Sequence, residues 1–184
     1  MLLSLLKQRS TMLHRAGVFA TIVTEQAAEA QETGIVMIDA THARAHRAWR
    51  FKRGRRRLIG RTRGGLNPKL HVLADAKGRP IRMFLSAGQT SGYIGARALL
   101  ADRRHDAGWF RNALIGTGIS PCIPSRTGRK TSIPHDTGPY RLRHRIENMF
   151  ARLKDWRCIG TRYDRCPILS LSACALAANV IYWL

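Results

Sequence analysis

Between Arg44 and Arg63 ten of twenty residues are cations and none is an acid. Charge of that density repels itself, so the stretch is expected to remain a loop until an external anion neutralises it. The imbalance extends to the whole chain, where 32 Lys and Arg face 11 Asp and Glu for a net charge of +21. Most of the cations are Arg, whose planar fork grips phosphate oxygens in pairs. Nucleic acid is the expected partner. A disordered basic tail is excluded, because 45% of the 184 residues are hydrophobic and a chain this long buries about two-thirds of its surface as one domain.

Shifts in charge and periodicity divide the chain. Residues 1–33 read as a helical N-terminal segment, with Leu13, Val18, Phe19, Ile22 and Val23 on a partly apolar face and Gly34 as the stop. Ile35-Val36-Met37-Ile38 reads as a buried strand ending in Asp39. Two further strands are expected at Lys69–Ala74 and Pro80–Ser86, joined by a tight turn at Asp75-Ala76-Lys77-Gly78. Strands first and α/β alternation afterwards predict a mixed sheet flanked by helices. The final 18 residues, Pro167 to Leu184, carry no charge, but Ser170, Ser172 and Asn179 favour a buried closing helix over a membrane span. Cys122, Cys158, Cys166 and Cys174 contain no C-x-x-C pair, so reduced thiols in a cytoplasmic protein are expected. His42 and His46 stand four apart, but the cations around them disfavour a zinc site.

With only 11 acids, chemistry on phosphodiesters has few candidates for oxygen ligands to a divalent metal. Glu25, Glu29 and Glu32 read as a solvated helix face and Asp75 as a turn residue. On a helix running from Tyr140, Arg143, Glu147 and Lys154 join Tyr140 in a stripe about 60° wide, beside a core face of Leu142, Ile146, Met149, Phe150, Leu153 and Trp156. Spacing alone favours an exposed ion-pair row, since Arg143 and Glu147 are an i,i+4 pair.

The pattern Tyr140-x2-Arg143-x3-Glu147-x6-Lys154 resembles, without a gap, the signature of DDE transposases of the insertion sequence 4/5 superfamily, its insertion sequence 5-like group. Ile38-Asp39-Ala40-Thr41-His42 is similar to the family's first-acid strand. Ile59 to Gly65 with Lys69-Leu70-His71 resembles its glycine-rich connector, and Asp102-Arg103-Arg104-His105-Asp106 its second-acid box. Thr161-Arg162-Tyr163-Asp164 also recurs after the family's signature helix. The resemblance implies a ribonuclease H-like catalytic domain over 34–184. In it Asp39, Asp102 and Glu147 would hold two Mg²⁺ ions, with Mn²⁺ a substitute, and cut and join DNA at the ends of a mobile element. It further implies that Tyr140, Arg143 and Lys154 hold DNA phosphates, and that the protein works as a nucleoid-associated homodimer on terminal inverted repeats and target DNA. Arg53, Arg55, Arg56, Arg61 and Arg63, from the basic stretch, are the candidates for sequence-independent DNA contact.

The chain departs from that pattern near the second acid. Arg104 and His105 replace Gly and Tyr, Gly92 replaces an Asp, and Pro68 stands just before the second strand in place of Thr or Ser. About ten residues are missing before Asp102, where Ala96–Ala101 would have to supply both a helix and a strand. The N-terminal segment is also shorter than the family's DNA-binding and dimerising region. These features predict impaired cleavage, as in a truncated or degenerate copy. The alternatives are a catalytically inactive DNA-binding remnant and a basic RNA-binding structural protein.

Overall fold

The computed structural model describes residues 18–29, 35–45, 58–91, 112, 115, 122, 137–162 and 166–184. Its elements are α1 (Val18–Glu29), β1 (Val36–His42), β2 (Arg44–Ala45), β3 (Gly60–Thr62), β4 (Gly65–Asp75) and β5 (Pro80–Ala87), followed by α2 (Thr137–Tyr140), α3 (Arg143–Asp155), α4 (Arg157–Gly160), β6 (Thr161–Arg162) and α5 (Pro167–Tyr182). Strand β4 is central, pairing antiparallel with β1 on one side and β5 on the other. The architecture is mixed α/β, with an antiparallel sheet and helices packed on it.

The sheet follows from alternation in β4. Leu70, Val72 and Ala74 point to one face, where they join Leu85 of β5, Val23 of α1, Cys174 and Ala178 of α5, and Ile146, Met149, Phe150 and Leu153 of α3 in the main core. Leu73 points to the other face and packs with Ile81, Val36, Ile38, Phe84 and Trp183. His71 also points there and is buried. The turn between β4 and β5 forms as the sequence predicts: Asp75 Oδ1 accepts the backbone N–H groups of Lys77 and Arg79 at 3.0 and 2.7 Å, and Gly78 takes φ +84°. Helix α5 begins on Pro167 at its first turn and buries Ser170, Ser172 and Asn179, as expected of a closing core helix. No helix among the described residues is long and apolar enough to cross a membrane. All four cysteines are free thiols.

Several local expectations are corrected. Strand β1 runs on to His42, so Asp39 lies mid-strand rather than at its end, because β4 offers pairing partners as far as Lys69. The basic stretch is not all loop: its first two residues form β2, which pairs in parallel with β6, and Gly60–Thr62 form β3 against the start of β4. Pro68 lies inside β4 rather than before it. It is tolerated where β1 leaves off, since its carbonyl accepts the Ala43 N–H at 3.1 Å and the N–H it lacks is not required by a further pair of β1. The helix from Tyr140 is interrupted at Arg141 and Leu142, where Leu142 N–H bonds the Pro139 carbonyl and Arg145 N–H the Leu142 carbonyl, both three residues back. Trp156, expected on the core face, follows the helix and is exposed.

Candidate functional site

Strand β1 and helix α3 meet through side chains of alternate strand residues. Met37 packs against the main core, and Asp39 and Thr41, on the same face, meet polar residues of α3. The helix buries Ile146, Met149, Phe150 and Leu153, which leaves Arg143, Glu147 and Lys154 along the margin facing β1 and solvent. Its N-terminal end is tied to the β4–β5 turn by Arg145, whose Nη1 donates to the Ala76 carbonyl at 2.7 Å. The same turn thus shapes the sheet and seats the helix.

Arg143 stands between two carboxylates. Its Nη2 lies 3.9 Å from Asp39 Oδ2 and its Nε 3.4 Å from Glu147 Oε1, so residues 108 apart in the chain share one guanidinium. The other oxygen of Asp39, Oδ1, accepts the Ala40 N–H at 2.7 Å. The side chains of Asp39, Arg143 and Glu147 are 32%, 50% and 59% exposed, which keeps the carboxylates within reach of a ligand from solvent. Partial burial works against the charge on Arg143, but Asp39, a hydrogen bond and charge interaction with Tyr140, and Glu147 outweigh it and raise the guanidinium pKa. At the far end of the row, Lys154 Nζ donates to Thr41 Oγ1, and burial lowers its pKa.

The structure therefore brings together Asp39, Tyr140, Arg143 and Glu147, with Lys154 on the same margin of α3. Arg61 and Arg63 belong to a different element, the β3–β4 hairpin, where both are exposed and Arg61 lies opposite Leu66. Asp102, Arg53, Arg55, Arg56 and His46 lie outside the described residues. Among the described residues no three His, Cys, Asp or Glu side chains cluster as metal ligands. Asp39 and Glu147 form a pair of hard oxygen donors, a chemistry that suits Mg²⁺ or Mn²⁺ and would need further ligands. Sequence reasoning missed Thr41, although its position two residues from Asp39 on a strand places it on the same face.

Over 129 residues, 64% of this chain and 98% of the relative, the sequence is 29% identical to the "Putative transposase for insertion sequence element IS6501" of Brucella ovis. No protein-family model matches the chain, and no solved structure matches it.

Proposed function

We propose that the chain is a DDE-type transposase of ribonuclease H-like fold, which binds the ends of an insertion sequence and cleaves and joins DNA phosphodiesters, with cleavage impaired in this copy by the short segment before Asp102. The observation that carries the reading is the shared guanidinium of Arg143, which gathers a half-buried Asp39 from the sheet and an exposed Glu147 from the helix into one acidic pair. The similarity to the Brucella ovis protein supports the same direction. So does the antiparallel β1–β4–β5 arrangement with an acid in the middle of β1.

In this reading Asp39, Asp102 and Glu147 would hold two Mg²⁺ ions, which would supply Lewis-acid stabilisation for in-line displacement at phosphorus. The chain's own groups do the positioning. Arg143 keeps the two carboxylates close while balancing their charge, and Tyr140 orients that guanidinium. Arg143 and Lys154 present two cations along one margin of α3, to which successive phosphates of a DNA strand can bind. Arg53, Arg55, Arg56, Arg61 and Arg63 supply affinity that does not depend on sequence, and a homodimer holds the paired ends.

A second reading, a DNA-binding remnant without strand-cleaving activity, is favoured by Arg104, His105 and the short segment before Asp102. The two separate on one assay: Mg²⁺-dependent cleavage of a plasmid carrying the flanking inverted repeats, by the wild type and by Asp39→Asn and Glu147→Gln. Cleavage that both substitutions abolish, with binding retained, supports a transposase. Binding without cleavage supports the remnant, and cleavage that survives both substitutions rules out the site. An RNA-binding protein would show no preference for the element's ends.

A further inference from the structure

Lys154 is held in place from across the site, and the residue that holds it belongs to the strand rather than to the helix. Thr41 Oγ1 accepts a hydrogen bond from Lys154 Nζ, although the two are 113 residues apart. The same two side chains line a narrow, mainly apolar cleft with Leu70, Phe150 and Leu153. The methylene stem of Lys154 is thereby given apolar surface to lie on, and its ammonium a fixed acceptor at the rim. Burial there lowers the Lys154 pKa, consistent with an ammonium held partly out of water. A free lysine side chain loses much rotamer entropy when it grips a ligand, so one already anchored has less to lose.

We propose that Thr41 is a positioning residue, whose hydroxyl fixes the Lys154 ammonium at the edge of the Asp39–Glu147 pair as a preformed site for a phosphate of the DNA backbone. The proposal rests on the DNA-binding reading above. The hydroxyl is the active element, for two reasons. Thr41 lies two residues from Asp39 on one strand face, so the acid and the Lys154 anchor keep a constant separation set by the backbone. The β-branched shape of Thr would be served equally by Val, which offers no acceptor.

The test compares the full-length wild type with Thr41→Val, Thr41→Ser, Lys154→Met and the Thr41→Val/Lys154→Met double variant. The affinity of each for a fluorescent 20-base-pair duplex of mixed sequence is measured at fixed salt. Lys154→Met is expected to weaken binding roughly tenfold and Thr41→Val roughly threefold. Thr41→Ser should bind as the wild type does, and the double variant no more weakly than Lys154→Met alone. Melting temperature provides the control, because Val suits a strand better than Ser, so a merely structural role would rank the Thr41 variants in the opposite order. Thr41→Ala is read in the same way should Val not be accommodated. Wild-type affinity in Thr41→Val, an equal loss in Thr41→Ser, or a Thr41→Val loss that persists without Lys154 overturns the proposal while leaving DNA binding intact. A wild type that does not bind the duplex overturns the parent reading and this inference together.

Discussion

At the residue scale, the environment of each group decides its charge. His71 sits in a strand buried on both faces, with Nε2 bonded to Ser86 Oγ at 2.8 Å and its ring 5.3 Å from that of Phe84. Burial first, then the charges of Lys69 and His42, lower its pKa to about 4 from 6.5. The unfolded chain therefore binds the proton more readily between those values. Stability from His71 is fully present above about pH 6.5, falls as the pH drops towards 4, and levels off below it, a change of at most about 3 kcal/mol. Urea unfolding across pH 4 to 7 should show this slope, and His71→Gln should flatten it. Arg143 presents the opposite case. Its ion pairs are half-exposed, so Arg143→Gln should change stability by less than about 1 kcal/mol. The same substitution should reduce duplex DNA affinity severalfold, measured by fluorescence anisotropy on the same preparation. A large stability loss with unchanged affinity would mark Arg143 as structural.

At the scale of elements, the β4–β5 turn has two functions. Gly78 adopts a left-handed φ, and a Cβ placed on it would lie 3.0 Å from the Arg145 carbonyl oxygen and 3.1 Å from the Arg145 Cβ. Backbone strain and helix displacement thus fall on one substitution. Gly78→Ala is expected to lower stability by about 1–2 kcal/mol and, because α3 carries Arg143 and Glu147, to weaken DNA binding as well. Denaturation midpoints together with binding curves would check both halves. The elements themselves were largely legible. The Asp-x-x-Gly turn, the three antiparallel strands and the core face of α3 all follow from local chemistry and period. What was not legible was where an element stops: β4 extends back to Gly65 because β3 pairs with it, and the helix breaks after Tyr140 because the turn there tightens to bonds three residues back.

At the scale of the whole molecule, charge and partner are linked. Cations crowd the chain, and those of the β3–β4 hairpin and of the α3 margin are exposed. With roughly 6 phosphates neutralised, log affinity for duplex DNA against log salt should slope near −5. Filter binding between 50 and 200 mM salt would measure it, and a flat response would remove nucleic acid as the partner. Replacing Arg53, Arg55 and Arg56 together by Ala should make the slope shallower. In the two-metal chemistry proposed above, ligands would have to be held to within about half an ångström. The foreshortened segment before Asp102 and the neighbouring Arg104 make poor cleavage by the unaltered chain the expected result. Restoring the missing residues together with Arg104→Gly should raise Mg²⁺-dependent cutting. Efficient cutting by the unaltered chain, abolished by Asp102→Asn, would show that Asp102 takes the proposed ligand role despite the short segment before it.

The sequence by itself determined the strand alternation that puts Leu70, Val72 and Ala74 on one side, the turn at Asp75–Gly78, the uncharged closing helix and the row of Arg143, Glu147 and Lys154. Each of these is a local consequence of side-chain type and of the angle between neighbouring residues. That Glu147 would meet Asp39 was implied only by the family resemblance, not by local chemistry; tertiary structure alone decided that one guanidinium lies between them and that the Thr41 hydroxyl accepts from Lys154. It also decided that Pro68 is harmless inside a strand and that His71 is held neutral. Periodicity states which face a residue occupies but not which distant face will cover it. That is settled by how the apolar faces of the helices and the sheet bury one another, and the polar margins are brought together as a result.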